Sequence, residues 1–426
     1  MVNVDISNVW AAVSLPELLG REKEVFDAHQ KLVNHQPGGP DFLGWLSRPD
    51  SIQARLIHGI RRASDQILAD SEVLVVCGAC CTAAAAKAAI EAYHGCARNL
   101  LHTPQIFFVG ASLSSRQWLE LSQLLEDRSY SLLLVSPTGS DLGTNVTARG
   151  LRWLMERKYG ATAKNRVFVA TPVGTPLHRC GQEEGYELFP MPRELGGTAS
   201  IFTAGALLPM SAAGIDPLAV LDGAVETAQA MDIRAFENPA WLYAAARAVL
   251  AGKGYGREFL CFFDHSLDAL GRWWQQLTWQ WQTGRSRALT PVTALLPGDL
   301  GVLDNLAASG QAQMLETLVH FAPIAKKVPV EMDWKDYDGL GFLSGRNWED
   351  VEQALAGALS ETHSMAGIPL VDVDAGDLTA ENLGSLFYFL ELSSALTACL
   401  AGEEPFPPDG AKVQRCAMAQ LRGENT

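Results

Sequence analysis

The feature that most constrains this chain is the stretch at residues 71–93, SEVLVVCGACCTAAAAKAAIEAY. Its apolar run Val73-Leu74-Val75-Val76 is too short for a helix and rich in β-branched residues, so it reads as a strand buried in a parallel sheet. A turn of small residues follows, Cys77-Gly78-Ala79-Cys80-Cys81-Thr82. Then comes an alanine-rich helix with Lys87 and Glu91 four apart on one face. Strand, tight turn and helix N-terminus form an anion cradle, where free amides and the helix dipole face a ligand. Many such junctions bind nothing, so the rest of the chain has to decide.

The rhythm repeats. Residues 104–110 read as a second strand, 114–126 as a helix, and 131–135 as a third strand. The turn after it, Ser136-Pro137-Thr138-Gly139-Ser140-Asp141, leads a helix to Tyr159, and 166–170 is a fourth strand. Hydroxyls at alternate positions of that turn suit a phosphate, because they add donors to the amides of the next helix. The motif Gly196-Gly197-Thr198 precedes an apolar helix to Ala213, and a helical region spans 217–252. A second unit follows: 259–263, a helix with Trp273, Trp274, Trp279 and Trp281, then 291–295, 300–306, 314–321, 368–373 and a long helix over 380–400. Residues 1–35 read as helical. Alternating strands and helices imply an α/β fold of doubly wound parallel sheets, with helical N- and C-terminal extensions. The expected division is a helical segment 1–45, a first domain 46–215 carrying the phosphate loop, and a second domain 216–426.

Bulk properties narrow the function. A net charge of -15 and pI ≈ 5.1 repel phosphate backbones, which argues against nucleic acid. No apolar run approaches the ~20 residues that span a bilayer, so no membrane partner is expected. The first ten residues, MVNVDISNVW, lack the layout of a signal peptide, and a cytoplasmic home is the expectation. The eight cysteines are then expected as thiols. Cys77, Cys80 and Cys81, with His94 and Cys96 further on, admit a metal or redox reading. They also read as small buried residues filling the turn, and no second CxxC supports a metal. No cofactor and no metal are assigned.

From here the chain resembles phosphoglucose isomerase in its short bacterial form. The landmarks are DFLGW (41–45), SPTGS with a helix ending ERKYG (136–160), and EEGYELF through GG (183–197). FTAGALLPMSAAGID (202–216), WWQQL (273–277) and NLGSLFYFLELSSALTACLAGEEPF (382–406) complete them, in family order. The resemblance implies two sugar-isomerase (SIS) domains of flavodoxin-like topology, a homodimer, and proton transfer between C1 and C2 of an open-chain sugar phosphate.

The landmarks hold while the chemistry is substituted. The position of the family's glutamate base, in a GESEGK-like segment after the paired tryptophans, is Gln280, and an amide cannot take the proton. The position of its histidine is Gly301, and that of its C-terminal lysine is Arg415, whose pKa is too high for a proton donor. On the binding side, the arginine of GGRYS becomes Thr198. The GIGGS turn becomes Gly78 through Thr82. In the SxSxTT loop Ser136, Thr138 and Ser140 keep hydroxyls, but the last threonine becomes Asp141, whose carboxylate repels a phosphate.

Two functional readings follow. In the first, the chain keeps fold and dimer but is catalytically degenerate, and binds a sugar phosphate or a partner, with the tryptophans as core, interface or stacking platform. In the second, it remains a phosphosugar isomerase with relocated groups: Glu183, Glu184, Glu194, Asp299 or Asp304 as carboxylate, Arg193 as cation, His363 as imidazole. Each of these also reads as an ordinary surface charge, and His363 as a helix-end cap. Asp141 pointing into its turn favours the first reading.

Overall fold

The computed structural model describes residues 2–33, 50–79, 81–192, 201–281, 289–310, 313–403 and 412–423. The chain opens with a short strand, β1 (Asn3–Asp5), where the sequence reads as helical, and becomes helical at Leu15–Leu19 and Glu22–Val33. The reason is tertiary: β1 pairs antiparallel with a strand near the other end of the chain, a partner that local pattern does not reveal.

The first sheet contains β2 (Val73–Cys77), β3 (Gln105–Val109), β4 (Tyr130–Val135), β5 (Val167–Pro172) and β6 (Glu187–Met191). Their order is β3-β2-β4-β5-β6, all parallel, with Val75 beside Phe107 on one side and Leu132 on the other. Every residue of β2, β4 and β5 is buried, which is why these strands read as unbroken apolar runs. β6 carries Pro190 and lies at the sheet edge, the place where a residue without an amide donor is tolerated. The chain leaves β2 for one neighbour, β3, and returns to the other, β4. That reversal opens a crevice at the carboxyl ends of β2 and β4, where doubly wound sheets hold ligands.

The second sheet repeats the plan with β7 (Arg257–Phe262), β8 (Thr290–Leu295), β9 (Met314–His320) and β10 (Leu370–Asp374) in the order β1-β10-β9-β7-β8. The four long strands are parallel, and β1 takes the edge beyond β10.

The Ala380–Leu400 helix packs on the Pro217–Ala230 and Pro239–Gly252 helices. A Cβ on Gly384 would sit 1.9 Å from the Val220 carbonyl oxygen, and one on Gly223 would sit 1.9 Å from that of Glu381. Two backbones in contact leave room for nothing but glycine. This helix is long and apolar enough to cross a bilayer, with mean hydropathy 1.5, yet 89% of it is buried inside the protein. The sequence-based statement that no apolar run approaches that length is corrected here: the helix reaches it as core.

Two charged features lie in the interior. Arg247 pairs with Glu258 at 2.8 Å, both side chains fully buried, and Tyr243 and Thr317 donate hydroxyls to the same carboxylate at 2.6 and 2.9 Å. Glu391, also fully buried, has neither oxygen hydrogen-bonded, and burial pushes its pKa well above the usual carboxylate range. Of the four tryptophans on the Asp268–Trp281 helix, Trp273, Trp274 and Trp281 are core. Trp279 is 55% exposed.

Candidate functional site

Ser136 directly follows β4 and is buried, with its carbonyl accepting the Thr171 hydroxyl at 2.8 Å. Its own hydroxyl accepts the Gly139 amide at 2.8 Å and donates to Asp141 Oδ2 at 2.6 Å. The other oxygen of Asp141 accepts the Thr144 amide at 2.9 Å and so caps the Leu142–Tyr159 helix. The Ser140 amide goes to Thr138 Oγ1 at 3.2 Å. Gly139 has φ +68, and a Cβ there would lie 2.5 Å from Thr175 Cβ, so the turn is held tight against the next strand–helix junction. The turn therefore contains its own anion. Asp141 takes the Ser136 hydroxyl and the Thr144 amide, while the Thr138 and Ser140 side chains are exposed.

The neighbouring turn after β2 is locked to the same helix. Gly78 donates its amide to Val109 O at 2.8 Å, and Ala79 donates to Thr144 Oγ1 at 2.9 Å. Thr144 thus joins the two turns, a role the sequence reading missed. The spacing of Asp141 and Thr144 at a helix start signals the cap, whereas the bond from Ala79, 65 residues away, leaves no local signal. Thr82 does not face the crevice opening; it is wholly buried, its methyl within 3.0 Å of where a Cβ on Gly205 would be.

On the other side of the β2 turn stands the position of the family's base. Gln280 Nε2 donates to Cys81 Sγ at 3.5 Å, and Cys81 Sγ donates to Gln276 Oε1 at 3.5 Å. Gln280, Gln276, Gln275, Trp279 and Arg272 line a recess of about 430 Å³. Arg272 is held by Asp268 at 2.9 Å. The β2 turn is thus joined to the β4 turn through Thr144, while Gln280 reaches Cys81 at the start of the helix that follows it.

The remaining candidates lie elsewhere. Gly301 is exposed in the first turn of the Leu300–Ala308 helix, and a Cβ there would meet nothing within 4 Å, so the position holds space but no imidazole. Arg415 is exposed on the Lys412–Leu421 helix. Asp299 Oδ2 accepts the Leu295 amide at 2.8 Å, and Glu184 pairs with Arg152 at 3.1 Å, while Glu183 is an exposed helix residue. His363 is neither a free imidazole nor a simple helix-end cap. It is buried between Glu316, at 2.9 Å, and Asp304, at 3.0 Å, and its hydrogen bond to the Glu316 carboxylate raises its pKa. Asp304 is occupied by the same contact. Among the described residues no group of three or more His, Cys, Asp or Glu is arranged to hold a metal. Thr198, Arg193, Glu194, Cys80 and the DFLGW landmark lie outside the described residues.

No family model matches the chain. Curated relatives do. The glucose-6-phosphate isomerase of Symbiobacterium thermophilum is 33% identical over 416 residues, covering 96% of this chain and 93% of the relative. That of Fusobacterium nucleatum is 30% identical over 430 residues, covering 99% and 96%. This chain belongs to the glucose-6-phosphate isomerase family. In structure it is similar to a glucose-6-phosphate isomerase from Chlamydia trachomatis, with TM-score 0.76, 15% identity, and coverage of 95% of this chain and 84% of that one, a likeness of fold.

Proposed function

We propose that this chain is a degenerate member of the glucose-6-phosphate isomerase family, keeping the scaffold without interconverting glucose 6-phosphate and fructose 6-phosphate. The observation that carries the reading is Asp141, bonded to Ser136 Oγ and Thr144 N inside the turn that would take the phosphate. Carbon-to-carbon proton transfer further needs a basic lone pair at the position of Gln280, and an amide has none of useful basicity. A positioned base contributes about 10²–10⁴-fold, and groups that act together fail together. With an amide at that position and no imidazole at Gly301, the scaffold retains shape but not proton chemistry.

The reading extends to a cytoplasmic homodimer. Residues 321–348 support it as an arm that leaves the second sheet and returns. The arm is closed by the Val330 amide on Arg346 O at 2.8 Å and the Trp348 amide on Val328 O at 2.9 Å. Trp334 is 90% exposed, Tyr337 80% and Phe342 70%, an apolar surface that asks for a cover.

Proton abstraction is tested alone by incubating fructose 6-phosphate with the protein in D2O and following C1 by NMR. No deuterium at C1 above the buffer rate is expected; enzyme-dependent exchange would overturn the reading.

A further inference from the structure

We propose that the recess on the Asp268–Trp281 helix, beside the β2 turn, binds a neutral hydroxyl-rich ligand, an unphosphorylated sugar or polyol. This deepens the preceding reading and rests on it. Two charged groups at the site, one in the β4 turn and one in the recess, already have partners within the protein. In the β4 turn the Asp141 carboxylate already takes the Ser136 hydroxyl and the Thr144 amide. In the recess the Arg272 guanidinium is paired with Asp268 at 2.9 Å. A phosphate entering the β4 turn meets the fixed negative charge of Asp141, in a chain of net charge -15.

What the recess does offer is the chemistry of hydroxyl recognition. Gln275, Gln276 and Gln280 line it with side-chain amides, groups that donate to and accept from hydroxyls. Gln276 and Gln280 are held by the Cys81 thiol between them, Sγ donating to Oε1 of the first and accepting from Nε2 of the second. That contact spends one polar atom of each amide and leaves the other for a ligand. Trp279, 55% exposed on a helix whose other three tryptophans are buried, presents an aromatic surface at the same recess. An indole face packs well on the C–H face of a sugar ring while the ring hydroxyls reach the amides. The space of about 430 Å³ falls in the range of small-molecule sites.

The test is ligand-observed saturation-transfer NMR with titration calorimetry, using glucose, fructose and sorbitol against glucose 6-phosphate and inorganic phosphate. Expected is saturable binding of at least one neutral compound and weaker or absent binding of its phosphorylated form. Trp279→Ala and Gln276→Ala, both at exposed positions, each weaken it about three- to tenfold, the worth of one aromatic contact or one neutral hydrogen bond. Absence of binding by all three neutral compounds, tighter binding of glucose 6-phosphate than of glucose, or binding untouched by both substitutions would each overturn the inference. The isomerase reading is judged separately, by deuterium exchange. Exchange-positive protein sinks that reading, whereas exchange-negative protein that ignores neutral sugars sinks this inference alone.

Discussion

The hydroxyl of Ser136 donates to the carboxylate of Asp141 at 2.6 Å, and through this bond the turn after β4 is filled by the protein's own anion. A phosphate loop depends on amides and hydroxyls that await a ligand. Here one carboxylate caps the helix and accepts the Ser136 hydroxyl, because a helix N-terminus favours negative charge whether it arrives on a substrate or on a side chain.

Replacing Asp141 by threonine removes the charge while keeping an N-cap hydroxyl. The Asp141→Thr variant is expected to lose little stability, within about 1 kcal/mol, and to gain measurable affinity for inorganic phosphate and glucose 6-phosphate in calorimetry. A variant that binds phosphate no better than the parent contradicts the role given to Asp141.

The fold was legible because its buried parallel strands are short apolar runs and its turns carry small residues. Val73–Val76 and the run to Val135 needed no tertiary information. β1 and β6 were not legible: one is paired across nearly the whole chain, and the other contains a proline that only an edge tolerates. At the site, the landmarks give Gln280, Gly301 and Asp141 only as positions implied by the resemblance. The internal bonds of Thr144 and of the Cys81–glutamine contact were not legible, since they join residues 65 and 195 or more positions apart. Asp141 read as a charge that repels a ligand. In the structure it is bonded within its own turn, to the Ser136 hydroxyl and the Thr144 amide.

Glu391 makes stability depend on pH. Its folded pKa lies above the unfolded value, so its contribution is fully present below about pH 4.5 and is lost as pH rises toward the folded value. Glu391→Gln removes that titration. The difference in unfolding free energy between variant and parent should therefore grow in the variant's favour with pH, by up to about 1.4 kcal/mol per unit between the two pKa values. Urea unfolding at several pH values measures it; a pH-independent difference refutes the assignment.

The buried Arg247–Glu258 pair behaves as a unit. Removing one partner, as in Glu258→Gln, strands a charge in the core and is expected to cost about 3–5 kcal/mol. The double substitution Arg247→Met with Glu258→Leu is expected to cost less than the sum of the single changes. Additive losses in a double-mutant cycle would mean that the two groups do not interact.

The arm at 321–348 is expected to lie in a dimer interface. Sedimentation should find a dimer for the parent chain, and Trp334→Ser combined with Tyr337→Ser should weaken association at least tenfold while leaving the far-UV spectrum unchanged, since both side chains lie outside the core. A parent that sediments as a monomer at high concentration rejects the expectation.

The central claim is that the family's scaffold persists here without the family's proton chemistry. Its most direct test is fructose 6-phosphate turnover, read by coupled dehydrogenase on protein expressed in a host lacking its own isomerase. The account predicts a rate indistinguishable from the protein-free control. A turnover number in the ordinary enzymatic range, about 1–10³ s⁻¹, would contradict it.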